Sequence, residues 1–292
     1  PSLFRQRAGI CKVYEVGEVE GKPYIAMQLI QGMSLEQAKP RLALLEKVQL
    51  VRDAALALHA AHALGVVHRD VKPANVMLER GEDGRLHPIV MDFGLARDSS
   101  AEEHLTQSGT VMGTPGYMAP EQAAGKLEQI DRRSDVYSLG AMLYDLLCGR
   151  PPFEGSSTVA LLLQVLYQDP PPLRRLCPTV PLDLQTIAMK CLLKEPTLRY
   201  DSARALAEDL SRYLNDEPIL ARPLGRLPRL YRQARKHKLV VAASAVAFIS
   251  LLLLGTFALR ARLMSAAQAR VAAARAQRSE HLGQVIKELE LF

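Results

Sequence analysis

The sequence predicts an α+β fold of two lobes, a small β-rich lobe leading into a larger, mainly helical one, followed by a single membrane-spanning helix. Three observations carry this expectation: alternating apolar runs in residues 10–31, 3.6-residue stripes within 44–64 and 135–147, and an uncharged run at 239–259. The 292 residues are 48% hydrophobic and 23% charged, which excludes a wholly disordered, collagen-like or disulfide-stapled chain.

Taken in order, Ile10–Val16 and Tyr24–Ile30 flank a turn expected at Gly17 to Gly21, which reads as a β-hairpin. From Leu44 to about Leu64 the residues Val51, Ala54, Ala55, Leu58 and His62 share one helical face, and Gly65 stops the helix. Residues 66–97 return to short β-branched runs, Val66-Val67, Val76-Met77-Leu78 and Ile89-Val90-Met91. Residues 98–120 are rich in Ser, Thr and Gly without periodicity and too long for an ordinary connection, so either functional or disordered; the strong motifs that bracket them favour function. Asp135–Leu147 carries Leu139, Met142, Leu143, Leu146 and Leu147 on a core stripe closed by Gly149, and further helices fit Val159–Tyr167, Leu182–Leu193 and Ala203–Leu214.

The net charge of +6 is local rather than spread over a folded surface. Arg222, Arg226, Arg229, Arg232, Arg235, Lys236 and Lys238 form a basic linker without an acid between them, so no nucleic-acid partner is expected. Leu239–Leu259 is free of charge over 21 positions, about 30 Å of helix and one hydrocarbon core. Seven positive charges in the 20 residues before it exceed five in the 20 after it, which favours a cytoplasmic N-terminal side. The linker is expected to rest on anionic membrane lipid. Residues 260–292 carry Leu282, Val285, Ile286 and Leu289 at helical spacing, an amphipathic tail suited to pairing with a second copy. No signal peptide opens the chain, and Cys11, Cys148, Cys177 and Cys191 read as isolated thiols in a reducing compartment. His59 and His62, three apart on a helix, lack the Glu of a zinc-protease motif and read as packing residues.

Three motif blocks carry chemistry. They are His68-Arg69-Asp70-Val71-Lys72-Pro73-Ala74-Asn75, Asp92-Phe93-Gly94 and Ala119-Pro120-Glu121. Asn75 and Asp92 offer the hard oxygen donors that suit Mg²⁺, and phosphoryl transfer needs such a cation together with an oriented hydroxyl. In order and spacing the blocks resemble the catalytic-loop, DFG and APE signatures of protein kinases, and the chain is similar to bacterial, membrane-anchored, eukaryotic-like Ser/Thr kinases from about Ile10 to Leu214.

That resemblance implies ATP and Mg²⁺ as cofactors, Asp70 as catalytic base, Lys72 at the transferred phosphoryl group, and Asn75 and Asp92 as metal ligands. It places Met27 as gatekeeper, Gln28 and Ile30 with backbone groups toward adenine, and Met77 beneath the ring. Arg69, Thr106, Ser108 and Thr110 become an activation-loop set, with a loop phosphate paired by Arg69. Thr114, in Gly113-Thr114-Pro115-Gly116-Tyr117, ties the substrate segment to Asp70 and Lys72. His68, Phe93, Gly94, Asp135 and the Glu121–Arg199 ion pair are structural. The domains expected are a partial small lobe and hinge (1–31), a large lobe (32–214), a juxtamembrane linker (215–238), the span (239–259) and the tail (260–292). Protein substrates, a homodimer and a single-pass location in the bacterial cytoplasmic membrane follow.

The pattern departs from the family in one respect. The sequence contains no Gly-rich phosphate loop, no strand Lys gripping the phosphates and no helix Glu pairing with that Lys. Either the chain is an N-terminally incomplete piece of an active kinase, or it is a catalytically impaired kinase-like receptor or scaffold. The intact base, lysine and metal ligands favour the first.

Overall fold

In the computed structural model, residues 9–93 and 115–221, together with Ser250, Leu254 and Thr256, are described. Contacts divide the chain into two compact units, 1–223 and 224–292. The first begins with a two-stranded antiparallel ribbon, β1 (Val13–Val19) and β2 (Lys22–Met27), in which Val19 pairs with Lys22. The loop is only Glu20 and Gly21, both left-handed at φ 53° and 75°, the two-residue geometry that matches strand twist. The expected Gly17–Gly21 turn is therefore corrected to two residues, and β2 ends at Met27 rather than Ile30.

A second antiparallel sheet has the order β3 (Gly32–Ser34), β4 (Val76–Arg80), β5 (Leu86–Val90). Val76 pairs with Val90 and Met77 with Ile89, so two of the apolar runs expected as strands lie side by side. Val66-Val67 does not form a strand. Its backbone is drawn to the end of the preceding helix instead, the Val66 N–H donating to Ala61 O at 3.2 Å.

The helical part comprises α1 (Leu35–Ala38), α2 (Leu44–His62), α3 (Pro120–Ala123), α4 (Arg132–Cys148), α5 (Thr158–Tyr167), α6 (Leu173–Leu176), α7 (Leu182–Cys191) and α8 (Ala203–Leu214). Ser157 and Ser202 cap α5 and α8 by accepting the N–H of the third residue on. Asp131 caps α4, and Gly149 ends it at φ 78°, a left-handed conformation that glycine adopts without a Cβ clash.

The core organises around α4. Val136, Tyr137, Leu139, Met142 and Leu143 are fully buried, and apolar residues of α2 (Val51, Leu58), α7 (Leu184, Ile187) and α8 (Leu206, Leu210) complete the same cluster. A side chain at Gly140 would collide with Cys191 Cβ, so the glycine lets α4 and α7 approach closely. Among the described residues no helix is long and apolar enough to cross a membrane; the 239–259 run lies outside them except for three positions.

Candidate active site

The segment between α2 and β4 has no strand partner and is held by side chains. Asp135, on the first turn of α4 and completely buried, accepts three bonds: His62 Nε2 at 2.7 Å and the His68 N–H at 2.8 Å on Oδ2, and the Arg69 N–H at 2.9 Å on Oδ1. His62, which sequence periodicity placed on the buried stripe of α2, thus reaches a carboxylate in the core.

His68 is locked as well. Its Nε2 donates to Met91 O at 2.7 Å and its Nδ1 accepts the Asp70 N–H at 3.2 Å, two roles satisfied together by the neutral Nε2–H tautomer. Its ring lies 4.7 Å from that of the buried Phe93.

These anchors present Asp70. Lys72 Nζ meets Asp70 Oδ2 at 2.8 Å, and Asn75 Nδ2 donates to the same oxygen at 3.0 Å and to the Asp70 carbonyl at 2.9 Å. Because Nδ2 is spent on Asp70, the Asn75 amide is oriented with Oδ1 as a hard oxygen donor. The Asn75 carbonyl accepts the Met91 N–H at 2.8 Å, which carries the next residue, Asp92, to the same end of the sheet. Asp92 is exposed and left-handed at φ 54°, while Phe93 turns inward. An amide oxygen and a carboxylate fit Mg²⁺, which takes one or two protein ligands and fills its shell with water and phosphate oxygens. No group of three or more His, Cys, Asp or Glu among the described residues is arranged to hold a metal ion unaided.

Beside Asp70, a small crevice is lined by Arg69, Asp70, Val71, Tyr117, Met118 and Ser138. The 3₁₀ turn Pro115–Tyr117 is pinned there by Ser138 Oγ donating to Tyr117 O at 2.9 Å and by the Tyr117 hydroxyl donating to buried Asp145 at 2.8 Å. Burial, then the Asp145 charge, pushes the Tyr117 phenol well above its ordinary range. Asp145 also takes Lys39 Nζ at 3.1 and 3.2 Å. Burial lowers the Lys39 ammonium, but Glu36 and Asp145 outweigh it and raise the group above its usual value.

Beneath this segment the Glu121–Arg199 pair is bidentate at 2.7 and 2.8 Å and buried. Ser134 Oγ also donates to Glu121, and the remaining Arg199 donors reach the carbonyls of Leu193, Lys194 and Arg133. Burial raises the Glu121 carboxyl, yet Arg199 and Ser134 overcome it and hold the group below the usual carboxylate range.

Of the expected adenine contacts, Met27 and Met77 pack against the small buried cluster of Cys11, Ile30 and Ile89. The Gln28 N–H is committed to Lys12 O at 2.8 Å, and its carbonyl receives the Cys11 thiol at 3.7 Å. A groove lined by Lys12, Gln28, Asp53, Leu56, Glu79 and His87 includes one of these expected contacts, Gln28, and none of residues 68–75. Gly94, Thr106, Ser108, Thr110 and Thr114 lie outside the described residues.

Sequence reasoning missed Gln122, whose Nε2 donates to Arg69 O at 2.8 Å, and the Lys39–Asp145 pair, 106 residues apart. It also read four isolated thiols. All four are free, as read, but Cys148 and Cys177 meet at one carbonyl: the Cys148 thiol reaches Leu173 O at 3.9 Å and the Cys177 N–H donates to the same oxygen. No local spacing signals such contacts; they arise from tertiary packing.

Comparison with known proteins agrees with this geometry. Residues 4–210 match the protein kinase domain, and the chain belongs to that family. It is 41% identical over 216 residues to the serine/threonine-protein kinase PknB of Mycolicibacterium smegmatis, covering 70% of this chain and 33% of that protein. PknB of Mycobacterium leprae is 38% identical over 220 residues, covering 72% and 34%. The chain spans about a third of the length of these curated relatives. The kinase domain of Mycobacterium tuberculosis PknI, solved as a double mutant, superposes with a TM-score of 0.56 at 26% identity over 73% of this chain and 74% of that one.

Proposed function

We propose that the chain is the kinase region of a bacterial Ser/Thr protein kinase that transfers the γ-phosphoryl group of ATP to Ser or Thr hydroxyls of proteins. The observation that carries this reading is the Asp70 carboxylate with Lys72 and Asn75 both on Oδ2. That leaves Oδ1 as the oxygen to receive the acceptor hydroxyl. Asp70 orients that hydroxyl and takes its proton as the oxygen attacks phosphorus, and Lys72, 2.8 Å away, places its charge at the phosphoryl oxygens. Asn75 Oδ1 and Asp92 are the residues to hold Mg²⁺, which neutralises phosphate charge. Met27, Ile30 and Met77 give the adenine ring an apolar bed, with the Ile30 backbone beside it; the Gln28 N–H and carbonyl are already engaged by Lys12 and Cys11.

The uncharged run 239–259 anchors the chain in the bacterial cytoplasmic membrane with the kinase lobe on the cytoplasmic side, supported by its length and its basic flanks. The tail pairs two copies, and Thr106, Ser108 and Thr110 accept phosphate in trans, with Thr114 guiding the acceptor. Phosphate transfer from γ-labelled ATP to Ser and Thr of the full-length protein tests the reading. Asp70→Asn lowers the rate by about 10²–10⁴-fold, and Asp92→Ala abolishes transfer or raises the Mg²⁺ concentration it needs. Equal transfer by wild type and Asp70→Asn overturns it in favour of a kinase-like scaffold.

A further inference from the structure

Arg69 stands immediately before the proposed base and is left-handed at φ 67°, a conformation that a residue with a Cβ keeps only when its surroundings impose it. Both of its backbone groups are held. The N–H is bound by Asp135, and the carbonyl is bound by the side-chain amide of Gln122.

That carbonyl and the Asp70 N–H belong to one rigid peptide plane. Gln122 grips the plane at its oxygen edge at 2.8 Å, and His68 Nδ1 grips it at its nitrogen edge at 3.2 Å. Rotation of this plane swings the Cα–Cβ bond of Asp70. The other end of the Gln122 amide, Oε1, accepts the N–H of Ala119, the N-cap of α3, at 3.2 Å. The two partners fix the orientation of the amide, because the flipped form would oppose two donors at one end and two acceptors at the other. One side chain therefore joins the acceptor-side segment Pro115–Met118, which runs into Ala119, to the peptide that aims Asp70.

We propose that Gln122 is a positioning residue for phosphoryl transfer, setting the Arg69–Asp70 peptide plane and coupling it to the acceptor-side segment. The inference rests on the reading of Asp70 as base. A helix-capping role alone would need only Oε1, and this allows the two roles to be separated. Gln122→Glu keeps an acceptor for the Ala119 N–H in the first turn of α3, where negative charge is tolerated, but turns an anionic oxygen toward Arg69 O. Gln122→Leu removes both bonds.

In the full-length protein, Gln122→Glu is expected to lower kcat by about tenfold or more while leaving KM for ATP within about twofold, since a small misplacement of a reacting group is costly and the nucleotide contacts are untouched. Amide hydrogen exchange supplies a readout independent of activity: Asp70 exchanges faster in both variants, while the core amides of α4 are unchanged. Unaltered kcat and unaltered Asp70 exchange in Gln122→Glu would overturn the proposal. So would a kcat loss in Gln122→Leu that is absent from Gln122→Glu, since capping would then explain it. If wild type itself transfers no phosphate, the kinase reading fails, and Asp70 exchange still decides whether Gln122 holds the plane.

Discussion

Asp135 Oδ1 and the backbone N–H of Arg69 meet at 2.9 Å, 66 residues apart in the chain, and through this bond the first turn of α4 holds the segment that carries Asp70. The carboxylate has two further donors, so both oxygens are occupied. Asp135→Asn keeps one oxygen and turns an amide N–H₂ against at least one donor. We expect a loss of about 3 kcal/mol in urea unfolding and a fall in phosphotransfer larger than the unfolded fraction explains. Wild-type stability in this variant would show that the loop is held elsewhere.

The Glu121–Arg199 pair predicts an acid limb of defined sign. A carboxyl held below its ordinary value of 4.5 in the folded state binds fewer protons there than in the unfolded chain, so the stability it contributes is present above that value. It is lost as pH falls through the lower, folded value. Thermal melts from pH 7 downward should show this loss in wild type and a flatter limb in Glu121→Gln. Arg199→Met, which strands a buried carboxylate, should cost about 3–5 kcal/mol at pH 7.

Tyr117→Phe removes the hydroxyl from Asp145 but leaves Lys39 to satisfy the carboxylate. The expected cost is about 1.5 kcal/mol, or roughly 3–6 °C in the melting midpoint of a domain of this size. KM for a protein acceptor should rise while KM for ATP stays constant, because the Pro115–Tyr117 turn lines the acceptor side. Equal changes in both constants would argue against that placement.

The contact between Cys148 and Cys177 is open to chemical labelling. Burial, then Cys177, pushes the Cys148 thiol up, so little of it is the reactive thiolate at pH 8. Iodoacetamide should label Cys148 more slowly than a small free thiol, read by peptide mass. Cys177→Ala should accelerate it without restoring the free-thiol rate. An unchanged rate would deny the thiol–thiol contact.

Where the physics is local, the sequence is a good guide. Helix α8 begins and ends at Ala203 and Leu214 as expected, and α4 exceeds its expected span by the turn that Asp131 caps and by Cys148. Asp70, Lys72 and Asn75 belong to one motif block and are also hydrogen-bonded in space. Val66-Val67 misleads because β-branching favours an extended backbone but cannot supply a partner strand, and β3 is too short to carry a pattern. Gln122, Lys39 and the Cys148–Cys177 pair escape for a common reason. Each acts on a residue brought near by the fold, and nothing in its own neighbourhood marks it.

The polar suspension of residues 66–72 has a mechanical consequence. Lacking ladder bonds to a neighbouring strand, this stretch depends on a few side-chain bonds and on the burial of His68 and Val71, so one substitution at Asp135 or Gln122 acts on all of it. The backbone that carries the proposed base is thus tied to the core through side chains rather than through a strand ladder.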